Sequence, residues 1–213
     1  MKILGIETSC DDTAAAVIEV KGGLESPRFS VLSNVSYSQV AIHKKFGGIV
    51  PNLASRAHLQ KIAPTVKASL LMSEIDSKKI DLIAVTRGPG LMPSLLVGVN
   101  FSRALAYKWQ KPIIGVNHIE GHIYSNWLPS KNRLSSLAFL ARPGEPRSGI
   151  RPRSSPMANP CPLGLITRSE RTGDFFLNPK KIFPVLVLIV SGGHTELVLM
   201  KNYGKYKIIG ETL

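Results

Sequence analysis

The sequence has few cysteines and no long hydrophobic run. Its two cysteines, Cys10 and Cys161, lie far apart in unlike surroundings, which excludes a disulfide framework and a paired-cysteine metal site. The longest apolar run, Val185 to Val190, is far too short to span a bilayer. The first residues lack a signal-peptide pattern. We therefore expect a cytoplasmic protein with no membrane partner.

Acidic residues are also scarce: 14 Asp and Glu stand against 27 Lys and Arg, for a formal net charge of +13. Such an excess favours a polyanionic partner, with nucleic acid ahead of an anionic membrane. The charge is unevenly distributed, because the stretch from Lys131 to Lys181 has ten Lys and Arg but only three Asp and Glu. About half of the excess therefore lies in one segment.

That segment differs from the rest of the chain in composition as well. Residues 130–182 contain seven of the 15 prolines, together with many Arg and Ser residues. Proline at this density opposes both helices and strand ladders. We predict a flexible insertion between a first unit, residues 1–129, and a second, residues 183–213. Two roles stay open for it: disordered filler, or a basic arm that contacts RNA.

The first unit alternates between strand and helix patterns. Polar turns separate the first strands, which indicates an antiparallel hairpin. We expect Pro64 to kink or split the first helix. The pattern as a whole predicts a mixed α/β layer. Strands are predicted at Lys2–Thr8, Ala14–Val20, Phe29–Ser38, Leu82–Thr86 and Pro112–Val116, and helices at about Pro51–Ser73 and Pro93–Gln110.

The second unit repeats the opening pattern of strand, polar turn, strand and third strand. Its strands are predicted at Pro184–Val190, Thr195–Met200 and Tyr206–Gly210. We interpret the two units as copies of one hairpin in a duplicated fold, with the second copy begun and not finished.

His118 and His122 are the first candidates for chemistry. Residues four apart lie on one face of a helix, so two imidazoles could bind one metal ion. Glu120 does not directly follow the first histidine, as it does in the metallopeptidase pattern His-Glu-x-x-His. The motif therefore suggests a metal but no peptidase. Two ordinary surface histidines remain the alternative.

Five motifs follow one another along the chain: Gly5–Thr13 (GIETSCDDT), Gly47–His58 (GGIVP…ASRAH), Arg87–Leu91 (RGPGL), Asn117–His122 (NHIEGH) and Val190–Thr195 (VSGGHT). In this order they resemble the tRNA threonylcarbamoyladenosine-forming transferase family, formerly called glycoprotease-like or peptidase family M22. The resemblance covers residues 1 to about 128 and 183–213.

The resemblance implies an actin/sugar-kinase-like fold of two lobes, the first complete and the second only begun. It implies transfer of the threonylcarbamoyl group of threonylcarbamoyl-AMP to N6 of adenosine 37 in tRNAs that read ANN codons. Implied partners are tRNA and other proteins of the pathway, including a shorter paralogue and an ATPase. Family members are longer and carry a third metal ligand, an aspartate, in the additional part. The chain is therefore expected to be incomplete and inactive alone.

By the same resemblance, His118 and His122 hold one divalent metal, iron first and zinc as the alternative. The family's substrate-binding run falls on Ile189, Val190, Ser191, Gly192 and Gly193. Paired glycines let backbone N–H groups approach a phosphate closely. Asp11 is a candidate for acid–base catalysis or tRNA positioning, against a simple turn role.

Other residues of the motifs are predicted to be structural. We expect helix-face roles for Arg56 and His58, with contact to RNA or a partner protein second, turns at Gly88 and Gly90, and a small buried role for Cys10. Alternatives to the transferase are a non-catalytic scaffold related to the family's shorter paralogues and, less favoured, a metallopeptidase or a sugar kinase.

Overall fold

The computed structural model describes residues 1–22, 27–125, 128, 175–176, 183–190 and 195–212. Nine strands and four α-helices follow one another there. They are β1 (Lys2–Glu7), β2 (Asp12–Lys21), β3 (Arg28–Ser38), α1 (Val40–His43), α2 (Pro51–Ser73), β4 (Leu82–Gly88), α3 (Met92–Trp109), β5 (Ile113–Asn117), α4 (His118–Ser125), β6 (Phe175–Phe176), β7 (Val185–Val190), β8 (Thr195–Asn202) and β9 (Lys205–Glu211). Short 3₁₀ helices occupy Lys44–Phe46 and Ser77–Lys79.

The first sheet is mixed, as predicted, with the strand order β5-β4-β1-β2-β3-β6. β1, β2 and β3 pair antiparallel, which confirms the opening hairpin, whereas β4 pairs parallel with both β1 and β5. The carboxyl ends of β1, β4 and β5 therefore meet at one edge. This carboxyl edge also receives the start of β2 and the end of β3, since Asp12 pairs with Ser38.

Helices α2 and α3 pack on one face of this sheet and against each other. Alternate residues of the strands point toward the helices, as the period of two requires. The hydrophobic core consists of Leu4, Ile6, Ala15, Val17, Ile62, Val66, Ile80, Ile83, Val85 and Ala106.

Of the two effects predicted for Pro64, a split of the helix does not occur, because α2 runs through Pro64 as one helix of 23 residues. Pro64 and Gln60 are both exposed. Pro64 cannot donate to the carbonyl of Gln60. Because that carbonyl lies on the solvent side, water can satisfy it and the helix continues.

The second sheet is antiparallel, with the order β7-β8-β9. Its predicted strands are confirmed, each to within about two residues of its ends. Residues 130–182, the predicted flexible insertion, lie outside the described residues except for β6, which pairs Phe175 with Phe29 and Phe176 with Arg28. No helix of the described residues is both long and apolar enough to cross a membrane.

Candidate metal and substrate site

Three neighbouring strands end close to the histidine pair. β1 ends at Glu7, β4 passes through Thr86 to Gly88, and β5 ends at Asn117. The register pairs Ile6 with Val85, which places Glu7 next to Thr86 on the adjacent strand. Polar groups at the carboxyl ends of parallel strands are where open α/β sheets place their ligand sites.

Helix α4 begins at His118, directly after β5. The side-chain oxygen of Asn117 accepts hydrogen bonds from the backbone N–H groups of Ile119, at 2.8 Å, and Glu120, at 3.2 Å. Asparagine is a preferred residue for this capping role, because its side chain satisfies N–H groups that have no partner within the helix. The cap fixes where the helix starts, and hence the direction in which His118 projects.

The rings of His118 and His122 meet edge to face, with centroids 4.4 Å apart. Their Nε2 atoms lie 3.0 Å from each other. The pKa of His122 is lowered by burial and by the neighbouring His118. Both imidazoles therefore lie on one face of α4, as the spacing of four residues predicts.

Glu7 contacts the opposite side of the His118 ring. Its Oε2 atom lies 3.2 Å from Nδ1 of His118 and accepts a hydrogen bond from the Thr86 hydroxyl at 2.5 Å. Its Oε1 atom accepts from the backbone N–H of Ser9. Burial raises the pKa of Glu7, but the hydrogen bonds from His118, Ser9 and Thr86 outweigh burial and hold the pKa at about 2. Glu7 is therefore an anion at neutral pH.

These contacts test whether a metal fits. At 3.0 Å apart, the two Nε2 atoms can both reach one ion at the distance of about 2.0–2.1 Å that zinc–imidazole bonds have. An imidazole whose other nitrogen donates to a carboxylate is the usual form of a histidine ligand. His118 and His122 therefore fit a metal as two of its ligands. In the part of the chain that the structure describes, no group of three or more His, Cys, Asp or Glu side chains could hold one.

The β1–β2 turn places Asp11 at the same edge of the sheet. Ser9 Oγ lies 3.0 Å from Nδ1 of His118, and the Asp11 carbonyl accepts a hydrogen bond from the backbone N–H of Gln39 at 3.1 Å. Asp11 thus follows by two residues Ser9, which contacts the candidate metal ligand His118.

The bend at Pro89 and Gly90, directly after β4, packs against the β1–β2 turn. Leu91 N–H donates to the Ser9 carbonyl at 2.7 Å. A Cβ atom at position 90 would lie 2.6 Å from that same carbonyl oxygen, and φ of Gly90 is +159°. Gly90 lies in a bend directly after β4, in line with its predicted turn role, and its lack of a side chain allows this close approach. The same prediction was wrong for Gly88, which is the last residue of β4 and pairs with Asn117.

The far end of α4 contacts the second sheet. Tyr124 Oη accepts hydrogen bonds from the Tyr206 hydroxyl at 3.2 Å and from Gly204 N–H at 3.3 Å. The ring of Tyr124 also stacks on Tyr203, with centroids 6.4 Å apart. The pKa of Tyr206 is raised, chiefly by burial and further by its hydrogen bond with Tyr124 and by the nearby Glu120. The helix that begins with His118 is therefore fixed at its other end by the β8–β9 turn.

The predicted substrate-binding run is only partly described. Ile189 and Val190 end β7, and Ser191, Gly192 and Gly193 lie outside the described residues. Val190 pairs with Thr195, at the end of the second sheet opposite to the β8–β9 turn that contacts Tyr124. The placement of this run relative to the histidines stays a prediction.

Two predictions for the motif residues have clear outcomes. His58 is structural, as expected: it is completely buried, and Nδ1 and Nε2 contact the Thr13 hydroxyl and the Cys10 carbonyl. Cys10 is exposed, so the prediction of a buried residue was wrong. Its backbone carbonyl turns inward to His58 and leaves the thiol outside. The partial burial that remains and the adjacent Asp11 raise the pKa of the thiol, which opposes a nucleophilic role.

Sequence reasoning missed Glu7, Ser9 and Thr86 as parts of the site. The available signal was their position at or just beyond the ends of predicted strands. What the sequence pattern does not contain is the parallel pairing of β1 with β4, which brings Glu7 and Thr86 together.

Comparisons with known proteins identify the family of the chain. The profile of the TsaD family, described as tRNA N6-adenosine threonylcarbamoyltransferase, matches residues 30–142 and 173–213. A curated protein of that name from Thermomicrobium roseum is 44% identical over 213 residues, and one from Bacillus subtilis is 39% identical over 213 residues. These matches cover 100% of this chain and 45% of each relative.

Among solved structures, YeaZ from Pseudomonas aeruginosa matches 99% of this chain and 66% of its own, with 14% identity and a TM-score of 0.46. The chain spans a little under half the length of the curated relatives that it matches. By the extent of the profile match, it belongs to the tRNA N6-adenosine threonylcarbamoyltransferase family.

Proposed function

We propose that this chain carries part of a transferase that moves the threonylcarbamoyl group of threonylcarbamoyl-AMP onto N6 of adenosine 37 in ANN-decoding tRNAs. Family membership supports the reaction. The observation that carries the assignment of a site is the histidine pair, whose Nε2 atoms lie 3.0 Å apart at the carboxyl edge of the sheet.

We further propose the two-lobed actin/sugar-kinase-like fold, with residues 1–129 as the first lobe, 130–182 as an insertion and 183–213 as the start of the second lobe. The two sheets support it. β1-β2-β3 and β7-β8-β9 are both antiparallel meanders in chain order. Two copies of one meander are what a duplicated fold would contain.

In this proposal, His118 and His122 hold one divalent metal, iron or zinc. Bound there, the metal would act as a Lewis acid toward the carbamoyl carbonyl or the adenylate. The run from Ile189 to Gly193 would bind the phosphate of the donor through backbone N–H groups. Asp11 would position the tRNA or accept a proton from the attacking amine.

The proposed partners are tRNA and the other proteins of the same pathway, among them a shorter paralogue and an ATPase, in the cytoplasm. The net charge of +13 supports an RNA partner. Because the relatives are about twice as long as the matched part, we expect the half of them that this chain does not match to be needed for turnover.

Reconstitution tests this proposal. The chain is incubated with threonylcarbamoyl-AMP and an ANN-decoding tRNA, alone and fused to the half of the Bacillus subtilis relative that it does not match, and nucleosides are measured by mass spectrometry. We expect product only from the fusion, and none with a tRNA that carries guanosine 37. The His118→Ala fusion should lose the activity. Product from that variant would contradict the role of the histidine pair, and product from the unfused chain would contradict the need for the half that it does not match.

A further inference from the structure

Glu7 has an unusual set of partners for a carboxylate. In the part of the chain that is described, no Lys or Arg forms a salt bridge with it, and its ion-pair partner is His118, with Oε2 and Nδ1 3.2 Å apart. Both side chains are mostly buried, with 32% of the Glu7 and 24% of the His118 side chain exposed. A partly buried carboxylate without a permanent cation beside it has to be satisfied by hydrogen-bond donors.

Three donors supply that need. They are the backbone N–H of Ser9 at Oε1 and the Thr86 hydroxyl and His118 Nδ1 at Oε2. The backbone N–H can only donate, and an ionised carboxylate can only accept. Glu7 is ionised at neutral pH, so a hydrogen bond between its Oε2 atom and Nδ1 of His118 requires the proton to be at Nδ1.

The consequence for His118 is a fixed tautomer. With the proton at Nδ1, the lone pair of a neutral imidazole is at Nε2. Nε2 is the atom that lies 3.0 Å from Nε2 of His122. Nδ1 also lies 3.0 Å from the Ser9 hydroxyl, which can donate or accept and so selects neither tautomer. Without Glu7, the proton could therefore occupy either ring nitrogen.

We propose that Glu7 is a positioning residue that fixes the tautomer and orientation of His118, so that Nε2 is directed as a donor to a divalent metal shared with His122. Thr86 and Ser9 hold the carboxylate in turn. This inference rests on the proposed metal role of the two histidines and goes beyond it, because Glu7 touches the ligand and not the ion. Loss of such a carboxylate typically weakens metal binding by about 10- to 100-fold.

The first test needs no metal. Two-bond ¹H–¹⁵N correlation spectra of the metal-free chain at pH 8 report which nitrogen of His118 carries the proton, with His118→Ala used for assignment. We expect the Nδ1–H tautomer in the original chain and a mixture or the Nε2–H tautomer in Glu7→Gln. The amide of Gln has one acceptor oxygen where the carboxylate has two, so it cannot accept from all three donors. A Nε2–H tautomer in the original chain would overturn the proposal.

The second test is equilibrium dialysis with Zn²⁺. We expect the Kd to rise about 10- to 100-fold in Glu7→Gln and to be unchanged in Glu19→Gln, which removes an exposed carboxylate paired with Lys2 and Lys21. Circular dichroism checks that each variant is folded. Thr86→Val, which removes a donor to Glu7 and leaves His118 in place, serves if Glu7→Gln does not fold and should weaken binding less.

The metal role of the histidines and the positioning role of Glu7 can fail separately. If His118→Ala binds Zn²⁺ as tightly as the original chain, the proposed metal role itself fails. If His118→Ala loses binding while Glu7→Gln keeps both the Kd and the Nδ1–H tautomer, the metal role stands and the role of Glu7 is refuted.

Discussion

Gly98 shows how closely single residues determine the packing of α3 on β1. A Cβ at this position would overlap the hydroxyl oxygen of Thr8, which is completely buried and donates to the Ser94 carbonyl at 2.9 Å. Turning Thr8 away would break that hydrogen bond. We expect Gly98→Ala to lower the free energy of unfolding by about 1–2 kcal/mol, because overpacking outweighs the roughly 1 kcal/mol that alanine gains in a helix.

Gly121 provides the matched control for this prediction. It also lies within a helix, α4, but among the described residues no atom outside its own stretch of helix lies within 4 Å of the Cβ that alanine would add. Urea unfolding of Gly121→Ala should give a stability equal to the original or higher by up to about 1 kcal/mol. Equal stabilities for the Gly98 and Gly121 variants would show that the Thr8 contact can relax without cost.

Single residues of the site were predictable only where local spacing determines them. The helix period places His118 and His122 on one face, and their approach in the structure agrees. Glu7 was not predictable in this way, because His118 lies 111 residues further along the chain. Only the strand order β5-β4-β1 brings the two together. The exposure of Cys10 likewise depends on how its turn faces α2.

Between elements, His58 joins α2 to the β1–β2 turn. Nε2 lies 3.1 Å from the Cys10 carbonyl and Nδ1 lies 2.8 Å from the Thr13 hydroxyl. A carbonyl can only accept, so Nε2 carries a proton and the neutral ring accepts at Nδ1. Burial lowers the pKa of His58, and the Cys10 carbonyl and the charges of Glu7, Asp11 and Asp12 only partly oppose this. The turn that carries Asp11 is thus held by a neutral imidazole.

This contact predicts a pH dependence of stability. The unfolded chain binds a proton at His58 below the usual histidine pKa of about 6.5, whereas the folded chain does so only at lower pH. The stabilising contribution is therefore complete above about pH 6.5 and decreases as the pH falls from there through the lowered pKa. The free energy of unfolding in urea should fall more between pH 7.5 and 5.5 in the original chain than in His58→Gln.

The comparison with His58→Gln cancels the titration of all other groups. The two chains should converge in stability at low pH, since the variant lacks the group that the unfolded state protonates. Parallel pH profiles would mean that the buried imidazole takes up a proton as readily as an exposed one.

Elements were predictable where a periodic pattern was long enough. The ends of α2, α3 and β3 lie within one residue of the prediction. Helix α1 and the two 3₁₀ helices have only three or four residues each, too few to produce a period. The continuity of α2 through Pro64 depends on which side of the helix faces solvent, and this is a property of the packed layer.

For the molecule as a whole, the role of its large positive net charge is still to be determined. Residues 131–181 contribute a net +7 of the total +13, and the family profile leaves residues 143–172 unmatched. A polyanion bound through phosphate contacts releases counterions, so binding weakens with salt in proportion to the number of contacts. The salt dependence of tRNA binding therefore shows whether the arginines of residues 131–181 contact phosphates, as a basic arm would, or act as filler.

The test replaces Arg147, Arg151 and Arg153 together by Gln and measures binding of unmodified tRNA at several salt concentrations. Each phosphate contact contributes about 0.7–0.9 to the slope of log K against log salt. We therefore expect the magnitude of this slope to fall by about 2–3. The matched control replaces Lys67, Lys78 and Lys79 by Gln. All three are exposed and lie outside the insertion, so this variant should leave the slope nearly unchanged. The net charge falls equally in both triple variants, so a general loss of attraction would lower the two slopes alike. An unchanged slope in the arginine variant would show that the replaced arginines make no phosphate contacts, as expected if the insertion is filler.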